Sequence, residues 1–483
     1  MTRLKIPGRP GWARVRTLSL ATLPLVLAGC ASLSGDGGIK PVQQAAQQHL
    51  GKSVQVVKSE ADQSAVSDRV SELLSKPLSA DAAVQIALLN NRGLQASFQE
   101  LGIAEAELVQ ASRLPNPGFS IAKLRRGDER EIERSFSFDL AHLIALPLTR
   151  QMENRRFASV QRSVSMEMLS LAAESRKAYY AAVAAEQTAR YRRDVRASAD
   201  AGAELAKRLA QAGNWTKLQQ AREHGFFSEA VLNAARAEAA RIATRERLTR
   251  LLGLWGQQTG FTLPDRLPDL PQEPQDRPDV EQLAIAQRLD VQAAKLQVEA
   301  TAKSLGLSKI TRFVNALELG YMRNSSNEAP RQTGYEISFE IPLFDWGDAR
   351  MARAEGIYMQ SVQRAAQVAV EARSEVREAY LGYRSSYDIA RHYRDDIVPT
   401  AKRISDENVL RFNGMFISVF ELLADARSQI GAVNASIEAL RDFWVAQADL
   451  DMALIGKPSL SGSSAPKTST NAATATGSGG PAH

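Results

Sequence analysis

The stretch from Gly334 to Glu355 changes its periodicity at one point, and that change constrains the rest of the chain. Tyr335, Ile337, Phe339 and Ile341 alternate with Glu336, Ser338 and Glu340, the period-two pattern of a strand with one apolar and one polar face. Pro342 ends that ladder. Beyond Asp345, Trp346 and Gly347 the sequence is rich in Ala, Arg, Glu and Gln and meets no proline until Pro399. A strand therefore feeds directly into a helix far longer than globular domains use.

The same programme occurs earlier. Phe119 to Leu124 and Ile132 to Leu140 flank a charged turn, Arg125 to Arg130, and predict a hairpin. Helix-forming sequence resumes beyond Pro147 and runs to the tip Ala212-Gly213-Asn214, on the order of 100 Å at 1.5 Å per residue. A second helix returns from about Trp215 to Leu252. Upstream, one helix is predicted from Ser79 or Asp81 through Leu108, stopped at Leu114-Pro-Asn-Pro-Gly118. Downstream, residues 254–278 hold five prolines and read as a linker. Then Leu94-Gln95-Ala96 matches Val291-Gln292-Ala293, Ala178-Tyr179 matches Ala379-Tyr380, and Asn413-Gly414 takes the place of Ala212-Gly213, an offset of about two hundred residues. Two repeats follow, 79–253 with a hairpin at 119–140 and 279–456 with one at 313–343 around the turn Asn324 to Glu328. The expected fold is mainly α with a small β part, a duplicated unit of helix, hairpin, long helix and returning helix. Val376, Tyr380, Tyr383, Tyr387, Ala390, Ile397, Ala401 and Ile404 form a coiled-coil seam, as do Ile430, Val433, Ile437, Leu440 and Trp444. Pro399 should bend or interrupt the long helix.

Residues 30–78 are polar and weakly periodic, a segment draped on the body, and 457–483 read as a disordered tail. The formal net charge of +6 would suggest a nucleic-acid partner. Arg3, Lys5, Arg9, Arg14 and Arg16, however, precede the apolar run Leu18 to Leu27, the layout of a signal peptide at 1–29. Its five cations account for five of the six net charges, so no nucleic acid is expected. The run is too short to cross a bilayer as a helix. Leu27-Ala28-Gly29-Cys30 resembles the lipobox of bacterial lipoproteins, which implies cleavage before Cys30 and its acylation; the alternative is a plain signal peptide with an incidental cysteine. Ala31 in place of Asp favours, by the same resemblance, sorting to the outer membrane. Cys30 is the single cysteine, which excludes an intrachain disulfide.

Four strands cannot close a barrel, and Phe136, Phe138, Ile337, Phe339 and Ile341 line apolar faces that need partners. Strands of about nine residues also suit an outer membrane when tilted. Three chains would supply twelve strands, with their helices forming a periplasmic cylinder. At this point the chain resembles the TolC family of outer-membrane efflux proteins, in its lipoprotein branch, over about residues 80–456. The most specific pieces are Ile341-Pro342-Leu343-Phe344-Asp345-Trp346-Gly347, similar to the family's strand-to-helix junction, and Arg411-Phe412-Asn413-Gly414 with Glu421-Leu-Leu, similar to its helix tip. The resemblance implies a homotrimer, a twelve-stranded outer-membrane barrel continued by an α-helical coiled-coil barrel. It further implies partnership with outer-membrane lipid, a periplasmic adaptor and an inner-membrane transporter of the resistance-nodulation-division type, with adaptor contacts at Ala212, Gly213, Asn214, Asn413 and Gly414.

It also places a narrow periplasmic mouth just after the second tip, where Glu421 occupies an acidic position and the next one is Ala424, with Asp425 beside it. The alternative for both carboxylates is an ordinary solvated helix face. No cofactor or enzymatic activity is expected: the five histidines are scattered, and no phosphate loop or nucleophile elbow occurs. Leu114-Pro-Asn-Pro-Gly-Phe119 is similar to members linked to heavy-metal export, while the substrate stays open between drugs, metals and proteins. The competing reading is a lipid-anchored periplasmic coiled-coil or adaptor protein without a pore.

Overall fold

Two very long helical runs set the dimensions of the molecule. The computed structural model describes residues 32–310, 317–340 and 343–458; Cys30, Ile341, Pro342, the expected strand start at Phe313 and the tail beyond 458 lie outside them. In chain order the helices are α1 (Lys40–Leu50), α2 (Glu60–Leu74), α3 (Ala80–Asn90) and α4 (Arg92–Ala111), followed by strands β1 (Gly118–Arg126) and β2 (Glu129–Asp139). Next come α5 (Leu140–Gln211), α6 (Lys217–Leu252), α7 (Val280–Gln287) and α8 (Leu289–Ile310), then β3 (Leu317–Ser326) and β4 (Gln332–Phe339). The chain closes with α9 (Asp348–His392), a π-helical turn (Tyr393–Ile397), α10 (Val398–Asn413) and α11 (Val419–Ile455).

The 72 residues of α5 span about 110 Å at 1.5 Å per residue. Asp139 starts this helix by accepting the His142 N–H at 2.9 Å, so it begins at Leu140 and contains Pro147, where the sequence suggested a start beyond that proline. Proline inside a helix forfeits one bond to the carbonyl four residues back. A helix packed along its length tolerates that local loss, and Leu148 here lies against Gly306 of α8. The second long run is α9, the π turn and α10. The π turn immediately precedes Pro399: the wider turn absorbs the missing N–H without breaking the axis, and the expected interruption takes this form.

Where one helix was expected from Ser79 to Leu108 there are two. Ser79 caps α3 through the Ala82 N–H, and Asn91 ends it and caps α4 through the Leu94 N–H. Asn90 and Asn91 also donate side-chain amides to the carbonyls of Leu251, Leu252 and Gly253, pinning this break to the end of α6. Gly253 makes the approach possible: its φ is +67°, and a Cβ there would lie 2.6 Å from the Asn90 carbonyl oxygen.

The core lies midway along the helices. Tyr179, Val183, Leu248 and Leu252 pack with Leu78 and Ile86 on one side, and Val376, Tyr383, Tyr387 and Phe443 pack with Leu270 and Val280 on the other. Tyr180 stacks on Trp444 at 5.2 Å and joins the two repeats. Burial drives the Tyr179 hydroxyl up to about 12. The proline-rich segment between the repeats is more than a connection. Phe261, Leu267 and Leu270 are buried, Trp444 donates its indole N–H to the Pro268 carbonyl at 3.0 Å, and the Gln275 N–H donates to the Tyr383 hydroxyl at 2.9 Å. Likewise the amino-terminal segment contributes α1 and α2, whose Val42, Ala46 and Val70 are fully buried.

Candidate functional site: an open sheet and two helix tips

All four strands form one antiparallel sheet in the order β1-β2-β3-β4, so the hairpins of the two repeats join through β2 and β3. Both hairpin strands run longer than the sequence suggested, because Gly127, at φ +61°, makes a two-residue turn that lets Arg126 pair with Glu129. Residues directly opposite on paired strands point to the same side. The register therefore sorts the sheet into two faces. One carries the row Phe119, Phe136, Tyr321 and Tyr335, and beside it Phe138, Leu319 and Ile337, then Leu317 and Phe339. These side chains are largely exposed, Ile337 at 65% and Tyr335 at 82%. Glu129, Glu131, Glu133, Asp139, Glu318 and Glu336 share the opposite face. Neither β1 nor β4 has a partner on its outer edge among the described residues.

At the second strand-to-helix junction Gly347, at φ +72°, is the residue before α9, and its N–H donates to Asp345 Oδ1 at 2.8 Å. Asp345 also faces Arg350 at 3.8 Å. The positive φ explains the glycine. Leu343 and Phe344 are exposed at 66% and 99%, and they extend the apolar band onto the start of the helix. Pro342 lies outside the described residues.

The far ends of the long helices make two tips with the same hydrogen-bonding plan. At the first, Gly213 sits at φ +77°, the Asn214 N–H donates to the Leu209 carbonyl at 2.9 Å, and Thr216 and Gln219 cap each other's backbone N–H to open α6. At the second, Met415 sits at φ +62°, the Phe416 N–H donates to the Arg411 carbonyl at 2.9 Å, and Ser418 and Glu421 form the same capping box before α11. The tips thus correspond as Gly213 with Met415 and Gln219 with Glu421. This shifts by one residue the correspondence of Ala212-Gly213 with Asn413-Gly414 read from the sequence. Gly414 has an ordinary φ of −81° and supplies room instead: a Cβ there would lie 2.7 Å from the Phe416 ring.

Glu421 is therefore an exposed carboxylate held by its own helix start. Asp425 is half-buried and accepts a hydrogen bond from the Asn408 amide of α10, while Ala424 between them is exposed. Sequence reasoning missed Met415 and Phe416, which are 93% and 84% exposed at the extreme end of the molecule. Three large apolar residues, Met415, Phe416 and Ile417, directly before a capping box were the available signal. Beside the tips Glu223 of α6 takes both its oxygens to Arg427 of α11 at 2.8 and 2.9 Å, and the guanidinium lies 4.2 Å from the Phe226 ring centroid. Val376, Tyr383, Tyr387 and Ala390 of the α9 seam are buried and Tyr380 is half-buried, but Ile404 of α10 is 48% exposed. Below the π turn, among the described residues, that run packs chiefly on α11.

Residues 280–454 match the family model described as outer membrane efflux protein. The chain is similar to the solved channel CusC, with a TM-score of 0.64 and 17% identity over 80% of this chain and 92% of that one. It is also similar to the outer membrane protein VceC of Vibrio cholerae, TM-score 0.66 and 14% identity over 78% and 96% of the two chains. The second half of the chain thus matches the outer membrane efflux proteins, and the chain as a whole shares the fold of these solved outer-membrane proteins. The open-state MtrE outer membrane channel of Neisseria gonorrhoeae gives a TM-score of 0.65 at 17% identity over 77% of this chain and 88% of that one. Among curated proteins, the cobalt-zinc-cadmium resistance protein CzcC of Cupriavidus metallidurans is 22% identical over 282 residues, 56% of this chain. That match spans 64% of the relative's own length. The solved structures that share its fold include outer-membrane channels. Among the described residues, no helix is long and apolar enough to cross a membrane.

Proposed function

We propose that the protein is the outer-membrane channel of a tripartite efflux system, a homotrimer that passively conducts substrates from an inner-membrane transporter and a periplasmic adaptor to the outside. One observation carries this reading: a four-stranded sheet with two unpaired edges and one exposed apolar face runs directly into helices of about 100 Å. Three copies would satisfy the edges as a twelve-stranded barrel, the closure that bilayers require of strands. The pore-less adaptor alternative leaves the apolar face uncovered. The domain division is 79–253 and 279–456, with the proline segment binding the two repeats. The inner-membrane partner is of the resistance-nodulation-division type. At the periplasmic end, Ala212, Gly213, Asn214, Asn413 and Gly414, with Met415 and Phe416, form the adaptor contact.

The substrate class this reading favours is divalent metal cations. CzcC is named for cobalt, zinc and cadmium resistance, and the polar sheet face, which would line the barrel, carries the six carboxylates described above. Carboxylates repeated around a pore favour cations. Glu421 would ring the periplasmic mouth, with Asp425 behind it on the same helix. The capping box allows the two roles of Glu421 to be separated. Glu421→Gln should keep the cap, as Gln219 does in the first repeat, and reduce cation preference in planar-bilayer recordings. Glu421→Ala should reduce that preference equally and also cost about 1 kcal/mol at the helix start. Unchanged cation preference in both variants would remove Glu421 from the mouth.

Lipid anchoring through Cys30 is the second proposal, on the lipobox resemblance. Cys30→Ser should abolish labelling by a clickable palmitate analogue while the barrel retains part of the protein in the membrane. Undiminished labelling would exclude Cys30 as the acylated residue.

A further inference from the structure

The apolar face of the sheet does not end in neutral residues. Toward the hairpin turns, about 7 Å beyond the aromatic row at 3.4 Å per residue, the next row reads Ile121, Arg134, Arg323 and Thr333. Lys123 follows on the same face, then Arg125 and Arg130. Of the six cations on the four strands only Arg126, paired across from Glu129, points to the other side, and every strand carboxylate is on that other side. The acids nearest this end, Asp128 and Glu328, lie in the turns beyond the strands. Arg134 and Arg323 stand directly opposite each other, a like-charge pair that is unfavourable by itself. Among the described residues neither makes an ion pair; Arg134 donates only to the Ser325 hydroxyl, at 3.4 Å.

We infer that this row is a binding site for the phosphate groups of outer-leaflet glycolipids, with Arg134 and Arg323 as a two-guanidinium clamp and Lys123 as a third contact. The inference rests on the channel reading, which turns the apolar face to lipid and the hairpin turns to the outside. In that orientation the aromatic row lies where amphipathic rings favour the interface, and the cations lie one step outward, at headgroup depth. A phosphate seated between the guanidiniums converts their repulsion into charge-assisted hydrogen bonds. Carboxylates on this face would cancel the attraction, and none is present. The apolar rows beneath would cover the acyl chains of the same lipid.

The test uses full-length protein reconstituted in phosphatidylethanolamine vesicles doped with lipid A, either bis-phosphorylated or enzymatically dephosphorylated. The protein is then extracted and its retained lipid quantified by mass spectrometry. Wild type should retain the bis-phosphorylated form at least about tenfold over the dephosphorylated one. The triple variant Lys123→Gln, Arg134→Gln, Arg323→Gln should bring that ratio close to one, while Arg134→Lys with Arg323→Lys should recover part of it. Equal retention of both lipids by wild type, or an undiminished ratio in the triple variant, overturns the assignment. A preference erased by millimolar inorganic phosphate would make this a free-phosphate site and overturn it as well. Membrane insertion scored on the same samples separates the two levels: protein that inserts without discriminating lipids ends only this inference, and protein that does not insert ends the channel reading with it.

Discussion

Ile337→Arg is expected to remove most of the protein from the outer-membrane fraction, whereas Ser338→Arg, one residue along the same strand, leaves it there. The two positions share backbone, strand and exposure class but face opposite ways. Ile337 lies beside Leu319 in the middle of the apolar band, and Ser338 pairs with Glu318 on the polar face. An arginine at the bilayer midplane costs about 2–4 kcal/mol per chain, and a trimer would carry three. On the polar face an arginine meets the Glu318 carboxylate and water. Density-gradient fractionation and a trimer band on a mild gel read both outcomes. Equal behaviour of the two variants would mean that the sheet does not present one face to lipid.

Arg288→Met should lower stability by about 3–5 kcal/mol, the range for removing one partner of a buried charge cluster. Arg288 is 1% exposed, at the break between α7 and α8. Its guanidinium reaches Asp290 at 2.7 Å, Glu375 of α9 at 2.7 Å and the Ala453 carbonyl of α11 at 3.3 Å, so it ties three elements of the second repeat. Burial works against its charge, and the hydrogen bonds it donates to Asp290 and Glu375 outweigh that, holding the group above its usual range. The substitution leaves Asp290 without its cation and Glu375 with only the more distant Lys457, at 4.0 Å, both carboxylates being largely buried. Adding Asp290→Asn and Glu375→Gln should therefore return a large part of the loss, measured as the melting temperature of the purified protein in detergent. Absence of any recovery would place the loss in packing instead of uncompensated charge. Lys177 of α5 plays a similar part toward Asp449 of α11 at 2.9 Å, where burial nonetheless pushes the Asp449 carboxyl up.

The long-range plan of the molecule was legible because it is written in periodicity. Alternation at Tyr335 to Phe339 and the long proline-free stretch after Gly347 are local signals that tertiary context does not overrule. The errors fell where one residue decides. Asn91 splits a helix because its side chain caps the next one, a role that an apolar-periodic stretch conceals. Met415 occupies a left-handed position without being glycine, so aligning Gly213 with the neighbouring Gly414 slips the repeat by one residue. The proline segment reads as a linker and residues 30–78 as a segment draped on the body because few of their residues are apolar; the structure buries several of those few, among them Leu267, Leu270, Val66 and Val70. In the candidate site, the charge sorting of the sheet was out of reach before the register of β2 with β3 was known, since it joins residues almost two hundred positions apart.

A pore requires three open sheets to close into one barrel, and electron microscopy of the full-length protein, extracted from outer membranes in mild detergent, tests this directly. The expected particle has threefold symmetry, a detergent belt at one end and a cylinder of about 100 Å extending from it. Monomers without a belt would contradict it, because the apolar face of the sheet would then have been left in water.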